Sequence, residues 1–243
     1  MHIIKLDATN STNSYLRELS KKQVLNDYTV VTCNHQLNGR GQMGTTWESE
    51  EGKNLVFSVF KDFSDLDFSN NFYISMAVSL AIIKTLQQFS IGKLKIKWPN
   101  DILSEDSKVC GVLIENIIKQ DKIKASIIGI GLNVNQTNFV NLPKASSLKL
   151  LTGNQFDLNE VLIAFVSNLK KEFKLIKDND FEILKNSYES VLFRINKPST
   201  FRRNDGTVFT AYIKQVTNSG HLQLLLEDDV LSEFDLKQIT LLY

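Results

Sequence analysis

The chain has 243 residues, 42% of them hydrophobic and 23% charged, enough apolar mass for a buried core without repeats or a membrane. With 28 Lys and Arg against 27 Asp and Glu, the formal charge is +1, so composition makes no case for a dedicated nucleic-acid binder and any bound anion must be met locally. No apolar run approaches the ~20 residues that span a bilayer, and the opening MHIIKLDATNSTNSYL lacks a basic segment followed by an apolar one, so a cytoplasmic protein with no membrane partner is expected.

In chain order, a strand is predicted over 2–6, a helix over 13–22 capped by Ser11 or Thr12, and a strand over 28–32. A glycine-rich stretch, NGRGQMGTTW at 38–47, follows, and then a strand over 55–60. Ile74, Ala77, Val78, Ala81, Ile82 and Leu86 recur at helical spacing, so a helix over 72–89 should lie against a sheet. Three apolar runs, 94–98, 110–118 and 125–134, are joined by short polar connections that suit antiparallel pairing. Asp157, with Glu160 three positions on, begins a helix whose buried stripe is Val161, Leu162, Phe165, Leu169 and Phe173, and a shorter helix covers 180–191.

From Asn196 onward the pattern changes to short alternating strands, with turns at Asn204-Asp-Gly, Asn218-Ser-Gly and Glu227-Asp-Asp. The expected fold is α/β (α+β): a mixed, largely antiparallel sheet with helices in a domain of residues 1–192, and a small C-terminal β-barrel of residues 193–243. So small a unit has little core of its own and should pack on the larger one. Cys33 and Cys110 lie in apolar stretches and read as buried reduced thiols, while His2, His35 and His221 are scattered, with no zinc-site spacing.

Gly39, Gly41 and Gly44 spell G-x-G-x-x-G, but a dinucleotide fingerprint also needs a helix that begins inside the glycines. The following TTWESEEGKNLVF has no helical apolar period, and Thr45 stands where a phosphate loop would carry lysine. What remains is a backbone-rich loop with one cation, Arg40, and an aromatic end, Trp47.

Ser11-Thr-Asn, GRGQMGTTW, KWPNDI over 97–102, KVCGVLIEN over 108–116 and GIGLNVN over 129–135 occur in that order. Together they resemble the catalytic domain of the biotin protein ligases, the biotin–[acetyl-CoA-carboxylase] ligases, across about residues 1–190. The terminal barrel is similar to that family's SH3-like C-terminal domain. The resemblance implies that biotin and ATP form biotinyl-5′-adenylate, whose biotinyl group passes to a lysine on the biotin carrier domain of a carboxylase. Joining two anions requires cations and main-chain donors aimed at the oxygens where charge collects, with Mg²⁺ on the departing pyrophosphate.

Carried over residue by residue, the resemblance assigns Ser11, Thr12, Asn13 and Gln36 to the biotin ring system, with Gly39, Arg40, Gly41, Gln42, Lys108 and Gly111 completing the biotin site. Arg40, Trp47, Lys97, Asn100, Lys108 and Asn133 would meet the ATP or adenylate, Trp47 against the adenine. Lys108 and Arg40 would be catalytic. Asp101 orients the incoming lysine or serves as its base by resemblance, and reads equally well as a turn cap. Ser11 or Thr12 also reads as a helix cap. Metal ligands are unassigned.

Two departures stand out. Gln42, Met43 and Thr45 occupy positions where many family members carry arginines, which reduces the loop's cationic grip. The chain also opens at the catalytic strand rather than with a helix-turn-helix, so it is expected to be the form without a DNA-binding domain and to bind no DNA. The alternatives are a lipoate or octanoate ligase or transferase of related fold, for which an apolar slot would replace the polar ring contacts, and a non-catalytic biotin or nucleotide sensor, which would not need Lys108. Monomer and homodimer both remain open, since edge strands of two sheets could pair.

Overall fold

The protein is described over residues 2–243 by a computed structural model. Its larger sheet has seven strands: β1 (His2–Thr9), β2 (Thr29–Gln36), β3 (Leu55–Asp67), β4 (Leu94–Lys97), β5 (Asp101–Ser104), β6 (Ser107–Lys119) and β7 (Lys122–Leu132). They lie in the order β1-β2-β3-β7-β6-β5-β4, with β1 and β2 parallel and every other neighbouring pair antiparallel. The expected mixed, largely antiparallel sheet is therefore the observed one.

Helices cover both faces. On β2, Val30 joins the main core while Val31 joins a smaller cluster with Leu16 of α1 (Thr12–Lys22); on β7, Ile128 and Ile127 divide the same way. This is the period-two alternation of a strand, and it places α1 alone on one face. The other face carries α2 (Asn71–Gln88), α4 (Leu158–Lys177) and α5 (Phe181–Ser190). α2 is buried around most of its circumference because the sheet lies on one side and α4 and α5 on the other. Asp157 caps α4 by accepting from the amides of Asn159 and Glu160, and Ser11, rather than Thr12, caps α1 through Ser14 N.

The structure adds elements that the apolar pattern hid. β5 is a four-residue strand directly after the Pro99 turn, too short to show alternation. α3 (Leu148–Thr152) is a single capped turn ending on left-handed Gly153. β3 runs to Asp67, past the predicted end at 60, with a register shift between Asp62 and Leu66 that interrupts its alternation.

A second, five-stranded antiparallel sheet is formed by β8 (Pro198–Arg203), β9 (Val208–Val216), β10 (Leu222–Leu225), β11 (Leu231–Phe234) and β12 (Ile239–Leu242), in the order β11-β10-β9-β8-β12. Its strands contribute Phe201, Ala211, Ile213, Val216, Leu222, Leu224, Phe234 and Ile239 to the main core. Gly206 and Gly220 take positive φ at two of the predicted turns. Trp98 Nε1 donates to Gly220 O at 2.9 Å, and Val216 N donates to Glu189 Oε1 at 2.9 Å, tying this sheet to the turn after β4 and to α5.

Candidate active site

A cavity of about 420 Å³, within the range of small-molecule sites, opens beyond the N-terminus of α1, on the face of the sheet that α1 covers. Its floor is made by glycines. Gly111 of β6 pairs with Gly131 of β7, and Leu113 pairs with Gly129. A Cβ on Gly131 would lie 2.2 Å from Trp47 Cε2, and one on Gly129 would lie 2.3 Å from Asn13 Oδ1. Neither distance is sterically possible, so the G-I-G of β7 is what lets Trp47 and Asn13 lie against the strand backbone.

The end nearest α1 is a polar cradle. Gln36 Oε1 accepts from Thr12 N at 3.0 Å, and Ser58 Oγ donates to Asn13 Oδ1 at 2.6 Å and lies 2.8 Å from Thr12 Oγ1. Asn13 Nδ2 in turn donates to Glu115 Oε2 at 2.9 Å. Ser11, Thr12 and Asn13 are each at most 4% exposed, so these short side chains are fixed by burial as well as by bonds.

Glu115, whose side chain is 14% exposed, is the hub of this region. Its Oε1 accepts from Arg17 Nη1 at 3.2 Å and from Arg40 Nη2 at 3.1 Å. Arg40 also donates from Nη1 to Ser14 Oγ at 3.2 Å, so the one cation of the glycine loop is folded back onto α1. The loop itself is a closed hairpin: Gly41 N donates to Thr45 O at 2.7 Å, Trp47 N donates to Gly39 O at 3.0 Å, and a single 3-10 turn over Gln42–Gly44 forms its tip. No α-helix begins inside the glycines, consistent with rejecting the dinucleotide fingerprint.

The opposite end is cationic. Lys108 Nζ lies 2.7 Å from Asp101 Oδ1, Lys97 Nζ lies 3.8 Å from Asp101 Oδ2, and Lys108 Nζ stands 5.5 Å over the Trp47 ring. Burial pushes the Lys97 ammonium below its usual range; the attraction of Asp101 works against this, and the repulsion of Lys108 and Lys144 adds to it. Asn100 Nδ2 donates to Val112 O, bracing the turn that follows the cis Trp98–Pro99 bond. Both thiols are unsuited to nucleophilic work. Burial raises Cys33 to about 11 and pushes Cys110 still higher.

The structure thus brings Ser11, Thr12, Asn13, Gln36, Arg40, Gly41, Gln42, Trp47, Lys97, Asn100, Asp101, Lys108 and Gly111 to one cavity. Gly39 and Asn133 are not among its described lining residues. Gly39 sits at the base of the hairpin beside Gln36, while Asn133 is buried and donates from Nδ2 to Ser146 O at 3.0 Å, holding the segment after β7. Glu115, Ser58, Gly129 and Gly131 were not singled out from the sequence, although all but Ser58 lie inside quoted motifs. Ser58 carries no local signal, since it is one polar residue within an apolar strand.

Residues 6–133 match the family model described as the Biotin/lipoate A/B protein ligase family. The chain belongs to that family. Within the biotin/lipoate ligases it is 28% identical over 212 residues to the bifunctional ligase/repressor BirA of Bacillus subtilis, an alignment covering 86% of this chain and 65% of that protein's length. It is 29% identical over 143 residues to the biotin–[acetyl-CoA-carboxylase] ligase of Mycobacterium tuberculosis, covering 58% of this chain and 52% of that one. The crystallised biotin protein ligase of Aquifex aeolicus in complex with biotin and ATP superposes with a TM-score of 0.82 at 26% identity, over 99% of this chain and 98% of the other. No described helix is long and apolar enough to cross a membrane.

Proposed function

We propose that this protein is an ATP-dependent biotin ligase that forms biotinyl-5′-adenylate and transfers the biotinyl group to a lysine on a carboxylase carrier domain. The observation that carries this reading is the polarity of one cavity: a cradle of buried short polar groups at one end, and Lys108, Lys97 and Asp101 at the other. Similarity over nearly the whole chain to a ligase crystallised with biotin and ATP supports it.

In this reading the ureido ring of biotin lies among Ser11, Thr12, Asn13 and Gln36, under the hairpin of Gly39, Gly41 and Gln42. Its carboxylate points past Gly111 toward Lys108, while the triphosphate is met by Lys97, Asn100 and Lys108. Lys108 exchanges its pairing with Asp101 for the two approaching anions. A carboxylate oxygen bonds to the α-phosphorus and pyrophosphate leaves with the bonding pair. Arg40 adds charge when the hairpin closes, Trp47 walls the nucleotide, and Asn133 acts at one remove through the Ser146 segment. Asp101, released from Lys108, takes the proton as the carrier lysine attacks the acyl carbon and AMP departs.

Asp101 is the one carboxylate among the described lining residues, which fits a Mg²⁺ that arrives on the ATP phosphates and neutralises their charge better than a resident metal site. The same reading makes residues 1–192 the catalytic domain and 193–243 an SH3-like domain, and places the enzyme in the cytoplasm. Incubation with labelled biotin or labelled lipoate, ATP and a carrier domain tests it: label should enter the carrier from biotin only. Transfer from lipoate would favour the other branch of the family, and no transfer with tight biotin binding would favour a sensor.

A further inference from the structure

Lys144 is a third cation beside the Lys97–Lys108 end of the cavity, just outside the residues that line it. It lies in the segment between β7 and α3, and its backbone is locked to Lys108: Lys108 N donates to Lys144 O at 2.7 Å, and Ser146 N donates to Lys108 O at 3.0 Å. Its ammonium stands 3.9 Å over the ring of Tyr243, at the end of β12, and Lys97 stands 5.1 Å from the centroid of the same ring. Tyr243 is seated in turn on Phe193, with ring centroids 5.2 Å apart. Lys97, Lys108 and Lys144 therefore approach from three separate segments, and among the described ion pairs Asp101 is the carboxylate that meets Lys97 and Lys108.

Three ammonium groups gathered around one paired carboxylate leave this end net positive and suited to an incoming anion. Burial is the main cause that lowers the Lys97 pKa, Asp101 opposes it, and the positive charges of Lys108 and Lys144 add to the lowering. The hairpin adds no further charge at this end, because its one cation, Arg40, is committed to Glu115. An exposed lysine free to relax would extend into water; Lys144 is instead held by its backbone and by a cation–π contact.

Building on the proposed ligase reading, we propose that Lys144, positioned by Tyr243, binds the terminal phosphates of ATP and the pyrophosphate that leaves. The second sheet thus supplies part of the nucleotide site through its last aromatic residue. Lys144 supplies charge at the end of the triphosphate that the hairpin does not reach.

The test is calorimetric titration of the intact protein with inorganic tripolyphosphate plus Mg²⁺, and separately with AMP. Lys144→Ala should weaken tripolyphosphate binding about tenfold, the scale of one charge-assisted contact, and leave AMP binding unchanged. Lys144→Arg should restore it, Tyr243→Phe should keep it, and Tyr243→Ala should lose several-fold. In biotin-dependent pyrophosphate exchange, Lys144→Ala should raise the KM for ATP and not that for biotin. Equal tripolyphosphate affinity in the native protein and Lys144→Ala, or no binding by the native protein, overturns the proposal. Absence of biotin-dependent exchange in the native protein would defeat the ligase reading instead, with the titration still deciding on Lys144.

Discussion

Lys108 and Asp101 form a 2.7 Å ion pair between adjacent strands at the rim of the cavity, with Leu103 rather than Asp101 standing opposite Lys108 in the β5–β6 register. The register shift between Ile102 and Leu103 is what lets the two side chains meet. Lys108 is thereby held in place before any anion arrives; in the proposed reaction the incoming carboxylate and phosphate would have only to displace one partner.

Lys108→Ala should therefore fold normally, since the side chain is 35% exposed, yet lose about 100- to 1000-fold in adenylate formation. Pyrophosphate exchange in the variant measures this. Near-native exchange would remove Lys108 from the chemistry.

Glu115 holds Asn13, Arg17 and Arg40 at once. Glu115→Ala leaves those donors without their acceptor and should lower stability by about 1–3 kcal/mol and raise the KM for biotin. Glu115→Gln keeps one oxygen for Asn13 and should fall between the two. Denaturant melts and biotin kinetics together check the effect; an unchanged biotin KM would confine Glu115 to a structural role.

Gly131→Ala would set a methyl 2.2 Å from the Trp47 indole, whereas the corresponding contact at Gly111 is 3.0 Å. Trp47 should be driven off the strand in the first variant and tolerated with a small shift in the second. Affinity for ATP should drop about tenfold or more in Gly131→Ala and little in Gly111→Ala. The same affinity in both would show that the indole does not need this floor.

The hairpin over 39–47 is closed by few backbone bonds and carries three glycines, with Met43 and Gly44 both at positive φ. We expect it to open readily without ligand and to order over biotin and nucleotide. Trypsin should cut after Arg40 in the free protein and be suppressed by biotin plus ATP. Equal cutting with and without ligand would indicate a rigid loop.

The primary structure by itself determined the helices and most strands, because apolar spacing of 3.6 or 2 is written locally into 72–89, 157–173, 110–118 and 125–134. It also determined which residues were candidates, because short motifs such as KWPNDI and KVCGVLIEN name their own side chains. What it left undecided is how those motifs meet. That depended on the strand order β3-β7-β6-β5, which brings Gly131 beneath Trp47 and Asp101 beside Lys108. Glu115 becomes the partner of Arg17 and Arg40 only when residues 98 and 75 positions apart are folded together. Lys144 and Tyr243 are further still from any local signal: each is a single residue in an unremarkable segment, and a charge over a ring exists only once two sheets have packed. Local periodicity records the burial of each element, whereas a site is a convergence of elements, and that is decided by long-range packing alone.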